Sequence, residues 1–428
     1  MKKPADQKRR IAVIGAGVSG IVASHILQQG YEVHLFEKNH YLGGHTNTIV
    51  IPDGPDQGTP VDTGFIVLND RTYPLFNEFL SQLGVKTRNS EMSFSYFDKE
   101  DDFQYKGTTL NGLFAQRKNL FNPSFYRMLF GINKFSKQAL KDLEQDNFQG
   151  ETLGEYIDKI GISAPARDRF LIPMGGAIWS SSNQDILDYP AESFVRFFKN
   201  HGLLSFKDIP QWQTVVGGSH AYVQAFQRQF NGQIHLNAKI EHVRRTGQDV
   251  ILRMEDGTEQ HFDDVVLAAH ADQSLKLLAD PTPDEKKWLG AWTYSKNYTL
   301  LHTDTTVLPS SKRAWAAWNY VRDPLHASSD AKPVSVSYYM NLLQGLETEA
   351  AYCVTLNATD GIDPEKIIRE IHYRHPVYTA DAIRSQTELP KLNGQQHTYF
   401  CGSYFGYGFH EDGVRSGVHV AKQMGYHL

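Results

Sequence analysis

The chain reads as an α/β protein with a mainly parallel sheet, into which an α+β portion is inserted. Three observations predict this. A short apolar strand runs into a glycine turn and a helix over residues 11–29. A second strand, "YEVHLFE", follows at once. Near the other end, "TYFCGSYFGYGFHEDGVRSGVHVAKQM" again orders strand, glycine-rich loop and helix. Strands that alternate with helices belong to parallel sheets.

The first strand is Ile11 to Ile14. Gly15-Ala16-Gly17-Val18-Ser19-Gly20 then spells G-x-G-x-x-G. The first glycine permits the tight turn, the second lets the backbone approach a pyrophosphate, and the third lets helix and strand pack closely. Ile21 to Gln29 is helical, and Gly30 ends the helix. The amino terminus of that helix offers unpaired N–H groups and the positive end of a dipole to phosphates. Glu37 lies 22 residues after Gly15, with Lys38 beside it, at the tip of the second strand. An acid at that distance is expected on an adenosine ribose. Strand, turn, helix, strand and acid together predict a Rossmann-like dinucleotide-binding unit.

A glycine pair follows in "GGHTNT", giving Gly43, Gly44, His45 and Thr46. "VDTGFIVLNDRTYP" brings Asp62, Thr63, Gly64 and Phe65 before a helix. This arrangement resembles the FAD-binding half of the flavin-containing amine oxidase and phytoene desaturase superfamily, a glutathione-reductase-like fold. The resemblance implies FAD, with the glycine pair along pyrophosphate and flavin. His45 stands where an Arg is more usual. "VVGGSHAYVQAFQRQF" is similar to the family's Gly-Gly turn before a helix. "IHLNAKIEHVRR" is read as a strand pair, with Ile240 in the position that contacts adenine. "DVILRMEDGTEQHFDDVVLAAHADQ" is a hairpin turning at Asp256-Gly257, and it returns to a buried strand at Val265 to Ala268. Ala269 and His270 follow that strand's carboxyl end, where ligands of such sheets sit.

The carboxy-terminal stretch is then explained as the last flavin segment. In that superfamily a strand, a Gly-acid pair, a glycine loop and a helix aim the helix amino terminus at the flavin. Free N–H groups there stabilise negative charge on the reduced ring. Here the segment supplies Gly402, Ser403, His410, Glu411, Asp412, Gly413 and Val414. Ser403 replaces the usual acid. Glu411 and Asp412 either serve the cofactor in its place or cap the helix.

"DTGFIVLNDRTYP", "FLIPMGGAIWSS", "LLHTDTTVLP", "AWAAWNY" and "CGSYFGYGFHEDG" together resemble a bacterial subgroup of NAD/FAD-binding amine-oxidase-like proteins, from Arg10 to Gly425. That subgroup is similar to the amino-terminal flavin domain of plant cyclopropane fatty-acid synthases. The resemblance implies dehydrogenation of an apolar, fatty-acyl substrate, and a cyclopropane-synthase-like methyltransferase as partner.

The FAD-binding parts are expected at 1–75, 212–278 and 394–428. The substrate domain is expected at 76–211, read mostly as helices, and at 279–393, read as alternating strands "NYTLLHTD", "RAWAAWNYV", "SVSYYMNLL" and "AYCVTLN". No second complete G-x-G-x-x-G is present, which argues against a separate nicotinamide domain. Substrate hydride would reach flavin N5, with O2 or another acceptor restoring the flavin.

His410 is the candidate base, since an imidazole titrates near neutrality; the other reading is a bond to a carbonyl or the flavin without proton transfer. Tyr404, Tyr407 and Phe409 are read as a wall of the substrate side or as packing. Lys296 falls roughly where amine oxidases place a lysine that holds a water near N5; the plain reading is a surface lysine. Trp179, Trp315, Trp318, Tyr338 and Tyr339 are read as strand or loop residues of the inserted domain, in core or channel.

Over 428 residues the chain is 40% hydrophobic and 21% charged, as soluble globular proteins are. The net charge of -5 gives no reason to expect nucleic acid as the main partner. Cys353 and Cys401 are the two cysteines, too few for a disulfide framework, so a reducing cytoplasm is expected. No apolar run reaches the roughly 18 residues that span a bilayer, so membrane contact would be peripheral at most, on the inner face. "HED" is not expected to hold a metal, because three adjacent residues rarely converge on one ion. The basic start, "MKKPADQKRR", is read as a solvated tail. The rival readings are an amine oxidase, an isomerase that needs FAD without net electron transfer, and an FAD-bound partner without chemistry of its own.

Overall fold

The computed structural model describes residues 8–205, 209–322, 335–357 and 361–428. Residues 1–7 of the basic tail lie outside them.

Five parallel strands form the nucleotide-type sheet, in the order Gln233–His235, Tyr31–Phe36, Arg9–Ile14, Asp264–Leu267 and Thr398–Phe400. Three separated stretches of chain supply them. The central strands are apolar in unbroken runs: Ile11, Ala12 and Val13 have no exposed surface, nor do Val265, Val266 and Leu267. Unbroken burial suits a parallel sheet covered on both faces. The helix after the glycine turn spans Val18–Leu27, three residues earlier at its start than the sequence suggests. It packs against the last helix, His410–Gln423. A Cβ on Gly413 would lie 2.7 Å from Val18 Cγ1, and one on Gly417 would lie 2.6 Å from the Ser19 carbonyl oxygen. These glycines, four residues apart on one face, set the close approach of the two helices.

The hairpin strands Ile240–Arg245, Val250–Met254 and Glu259–Phe262 form their own antiparallel sheet. Gly257 takes its turn with φ +86°. Trp212–Val215 leads through Gly217 and Gly218, both left-handed, into the helix His220–Gln229.

A seven-stranded sheet forms the second layer, in the order Ile367–Val377, Thr293–His302, Cys353–Leu356, Val336–Tyr339, Trp318–Arg322, Phe94–Asp98 and Phe103–Lys106. Three of these strands correct the sequence reading. Residues 76–211 are not simply helical: "FSYFD" and "FQYK" form a hairpin that joins this sheet. Their aromatics pair across strands, which is where aromatic residues stabilise a sheet. The longest strand, Ile367–Val377, carries so many charged and histidine residues that its alternation is masked. Trp179, read as strand or loop, instead closes the helix Ile172–Trp179 and is buried. Trp315 follows a 3-10 turn, while Trp318, Tyr338 and Tyr339 do lie on strands.

Cys353 and Cys401 are both fully buried, and burial pushes each thiol up to about 12. Neither forms thiolate near neutrality. We expect Ellman's reagent to find no reactive thiol in the native protein and two after denaturation. Rapid native labelling of either would contradict that burial.

Candidate functional site

The glycine turn is built as its spacing requires. Gly15 has φ +105°, and a Cβ there would lie 2.7 Å from the Ala268 carbonyl oxygen. A Cβ on Gly20 would run into the Gly15 carbonyl oxygen. Gly17 differs from both. Its φ is -73°, and a Cβ on it would meet nothing within 4 Å. So Gly17 keeps a space open. It is the N-cap of the helix Val18–Leu27, with no side-chain cap and no acid in the first turn. The leading N–H groups therefore face that space without a competing carboxylate.

The second glycine pair closes on the first turn. Gly17 bridges Gly43, the Gly43 N–H donates to the Ala16 carbonyl at 2.8 Å, and Gly44 lies against Gly17 Cα. Glu37 is buried at the strand tip. Its Oε2 accepts from the Ala16 N–H at 2.9 Å and its Oε1 from the Asn39 N–H at 2.9 Å. Each oxygen keeps a further lone pair for a hydroxyl. The Ala238 N–H donates to the Glu37 carbonyl, which puts Ile240 two residues from the same corner. Lys38 is exposed.

His45 enters a box of aromatic rings. It stacks on Tyr373 at 4.9 Å, with His375 at 5.4 Å and His270 at 6.1 Å; His270 lies flat on Tyr294 at 4.3 Å. Burial holds all three imidazoles down: His45 to about 4, His270 to about 3 and His375 to about 3. They are neutral at pH 7. His45 Nε2 and His270 Nδ1 are buried without a hydrogen-bond partner. Such orphaned atoms are rare, and here they follow the two segments, Gly43-Gly44 and Ala268, that pack on the glycine turn.

The carboxy-terminal loop meets the same corner. A Cβ on Gly402 would lie 3.5 Å from the Ala269 carbonyl oxygen. The Gly402 N–H donates to Ser416 Oγ, and the Ser403 carbonyl accepts from Gly406 and Gly408. His410 is half-buried: it stacks on Phe65 at 3.7 Å, and its Nε2 lies 2.9 Å from the Tyr222 hydroxyl and 3.3 Å from Thr46 Oγ1. Burial holds its pKa well below the usual imidazole value. Its neighbouring carboxylates are occupied. Glu411 accepts from the Leu75 and Phe76 N–H groups at 3.1 and 3.0 Å, so it caps the helix Pro74–Gln82. Asp412 accepts from the Tyr407 and Phe409 N–H groups, each at 3.0 Å, and from Arg415. Val414 is fully buried.

Asp62 is also occupied. It is fully buried, and Oδ1 and Oδ2 accept from the Ser219 N–H at 2.8 and 2.9 Å. Ser219 Oγ, Thr48 Oγ1 and Gln344 Nε2 donate to it as well. Thr63 Oγ1 donates to the Asn47 carbonyl. Gly64 lies tight against the His45 carbonyl, which accepts from the Phe65 N–H at 2.8 Å.

The structure does not bring Lys296 to this corner. It is exposed on the strand Thr293–His302. Its neighbour Asn297 turns inward and is 1% exposed. The Asn297 Nδ2 donates to His375 Nδ1 at 3.1 Å, while its Oδ1 accepts from Asn357. An amide N–H on Nδ1 makes that atom an acceptor and leaves the imidazole proton on Nε2. Asn297, Tyr373 and His375 were missed in the sequence. The signal was present: Tyr373 and His375 are two apart in "IHYRHPV", hence on one face.

The donor set fits a dinucleotide. An uncapped helix terminus beside an open glycine, two orphaned imidazole nitrogens and a ribose-type acid are the groups that a dinucleotide would use. Among the described residues no group of three or more histidine, cysteine or acidic side chains is placed to hold a metal ion.

Comparison with known proteins points the same way. Residues 18–425 match the family model for flavin containing amine oxidoreductase. An L-amino-acid oxidase of Pseudechis australis is 20% identical over 475 residues, covering 97% of this chain and 86% of its own. A cofactor-binding variant of putrescine oxidase superposes with a TM-score of 0.69 at 14% identity, covering 98% of this chain and 99% of that one. A CLA-producing fatty acid isomerase from P. acnes does so with a TM-score of 0.68 at 16% identity, covering 97% and 98%. At such identities the two structures establish the fold alone.

Proposed function

The chain belongs to the flavin containing amine oxidoreductase family, and from that premise we propose that this FAD-dependent oxidoreductase removes hydride from an apolar, fatty-acyl substrate. When bound, FAD supplies the hydride acceptor. Gly17 and the amino terminus of the helix Val18–Leu27 would bind its phosphates, Glu37 a ribose hydroxyl, and His45 and His270 would offer their orphaned nitrogens to its polar edge.

One observation carries the substrate reading. A continuous belt of aromatic rings runs from the carboxy-terminal glycine loop into the helical layer. Phe409 stacks on Phe197 at 5.0 Å, Tyr407 meets Phe197 at 5.8 Å, and Trp179 meets it at 4.9 Å. Trp179, Tyr189, Tyr378, Trp292 and Tyr404 continue the chain at 4.7 to 6.0 Å. Asp412, the carboxylate beside it, is held by two backbone N–H groups and Arg415. Most of these rings are buried in one core cluster, so it is Tyr407 and Phe409, half-buried at its edge, that would meet an apolar chain. In this reading the neutral His410 positions the loop and the Tyr222 hydroxyl. Asn297 orients His375, whose Nε2–H is left as a donor.

Aromatic faces also attract cations, and the relatives include an amino-acid oxidase and an amine oxidase. Oxidation of an amine is therefore the second reading. The test is the visible spectrum of the purified yellow protein, followed without oxygen while fatty-acyl lipids or amines are added. We expect the flavin band to bleach with lipid. Bleaching with amines alone would establish the second reading. Conversion of lipid without bleaching and without an electron acceptor would make the protein an isomerase.

A further inference from the structure

The chain is acidic as a whole, with a net charge of -5, yet residues 103–141 hold no Asp or Glu and seven Lys or Arg. The same stretch breaks the usual pattern of burial. Among the described residues eight large hydrophobic side chains are exposed, and four of them lie here: Leu110 at 78%, Leu120 at 42%, Phe121 at 88% and Phe130 at 71%. Scattered exposed apolar residues are ordinary. Two exposed phenylalanines inside a local reversal of charge are not.

Hydrogen bonds tie the segments that carry them. The helix Pro123–Glu144 is 22 residues long. Phe125, Met128, Gly131, Phe135 and Ala139 form its buried face. Arg127, Phe130, Lys134, Lys137 and Lys141 recur at steps of three and four on the exposed face. Asn122 caps its start, and the Tyr126 hydroxyl donates to the Leu120 carbonyl, tying the preceding turn Arg117–Phe121 to the helix. Arg117 donates to the Phe114 carbonyl and to Asn111, which ties in the short helix that begins at Leu110. Lys118 is paired with Asp102 and Lys134 donates to the Gly161 carbonyl. Arg127, Lys137 and Lys141 have no acidic partner among the described residues.

We propose that this face is a docking surface for an anionic lipid bilayer, with Phe121 and Phe130 entering the interface and Arg127, Lys137 and Lys141 on the headgroups. Apolar rings supply the insertion term and cations the attraction to anionic lipid, and neither alone holds a protein at a membrane. Long Lys and Arg stems can cover apolar surface while their charges stay in the headgroup region. Among the described residues no helix is long and apolar enough to cross a membrane, so the contact is with the surface. The inference does not depend on which substrate the flavin oxidises.

The test is flotation of the FAD-loaded protein with vesicles of phosphatidylcholine alone, or of an equal mixture with phosphatidylglycerol, at low and high salt. Wild type is expected to float with the anionic vesicles, to release in high salt and to ignore the neutral ones. Phe121→Ser with Phe130→Ser should weaken binding by about tenfold or more. Arg127→Gln with Lys137→Gln and Lys141→Gln should weaken it about a hundredfold. All five side chains are exposed, so both variants should keep their flavin colour and melting temperature. Wild type that stays free of anionic vesicles overturns the proposal, and so does equal binding to both lipids. Folded variants that float like wild type overturn it too; a misfolded variant leaves the wild-type lipid and salt comparison to decide.

Discussion

Gly17→Val is expected to give a folded protein that holds no flavin. Three glycines define the turn, and they act differently. Gly15 and Gly20 are enclosed by backbone, so a side chain at either breaks the strand–helix packing itself. Gly17 has an ordinary backbone angle and open space where its Cβ would point. The Cβ of a valine there meets nothing within 4 Å, and its side chain takes the space that a pyrophosphate needs. Exchanging a glycine N-cap costs the helix about 1 kcal/mol or less. Loss of the phosphate contacts should lower FAD affinity by at least about a hundredfold, the equivalent of two or more charge-assisted bonds. Absorbance of the purified variant, its reconstitution with FAD and its far-ultraviolet circular dichroism check this. A yellow Gly17→Val protein would place the cofactor elsewhere. Gly20→Ala, in contrast, should lose fold and flavin together.

Asp62→Ala is expected to be the most destabilising of the single changes in this corner. The carboxylate joins three pieces of chain distant in sequence: the strand Pro60–Asp62, the start of the helix His220–Gln229 at Ser219, and Gln344 of the seven-stranded layer. Removal strands the Ser219 N–H and three side-chain donors in the interior. We expect a loss of about 3–5 kcal/mol. Its pH dependence has a definite sign. Burial raises Asp62 from 3.8 to about 6, so the native state binds this proton more tightly than the unfolded chain does. This group's contribution is therefore full below about pH 4 and declines as pH rises towards 6, by on the order of 2–3 kcal/mol. The gap between wild type and Asp62→Ala should narrow over that window and stay constant above it. Urea melts at pH 4, 5, 6 and 7 would show this. A gap that widens with pH would mean that Asp62 is ionised and strongly favoured in the fold.

Much of the site could be read from residue order because it is made of short contiguous segments. The glycine turn, Glu37, the pair Gly43-Gly44 and the final loop each depend on spacing, and spacing is visible in a string. The carboxylates could not be assigned that way. Asp62, Glu411 and Asp412 stand beside glycine motifs and look like ligands, yet each is taken up by backbone donors, from remote segments for Asp62 and Glu411 and from its own loop for Asp412. Lys296 and Asn297 are adjacent letters on opposite faces of a strand, and pairing with Ile367–Val377 decides which one turns inward.

The parallel sheet and a dinucleotide-binding glycine turn were legible in residue order, because a backbone that must approach phosphates demands glycine at set intervals and an acid one strand away; the flavin was implied by family resemblance. Tertiary structure alone decided which polar groups remain free. A carboxylate or imidazole acquires its chemistry from what desolvates it and what bonds to it. For His45, His270, His375 and His410 those neighbours come from the seven-stranded sheet, the helix His220–Gln229 and the last loop. Hydrogen bonds and burial between such remote segments leave no periodic trace in the chain, and so they are seen only once it is folded.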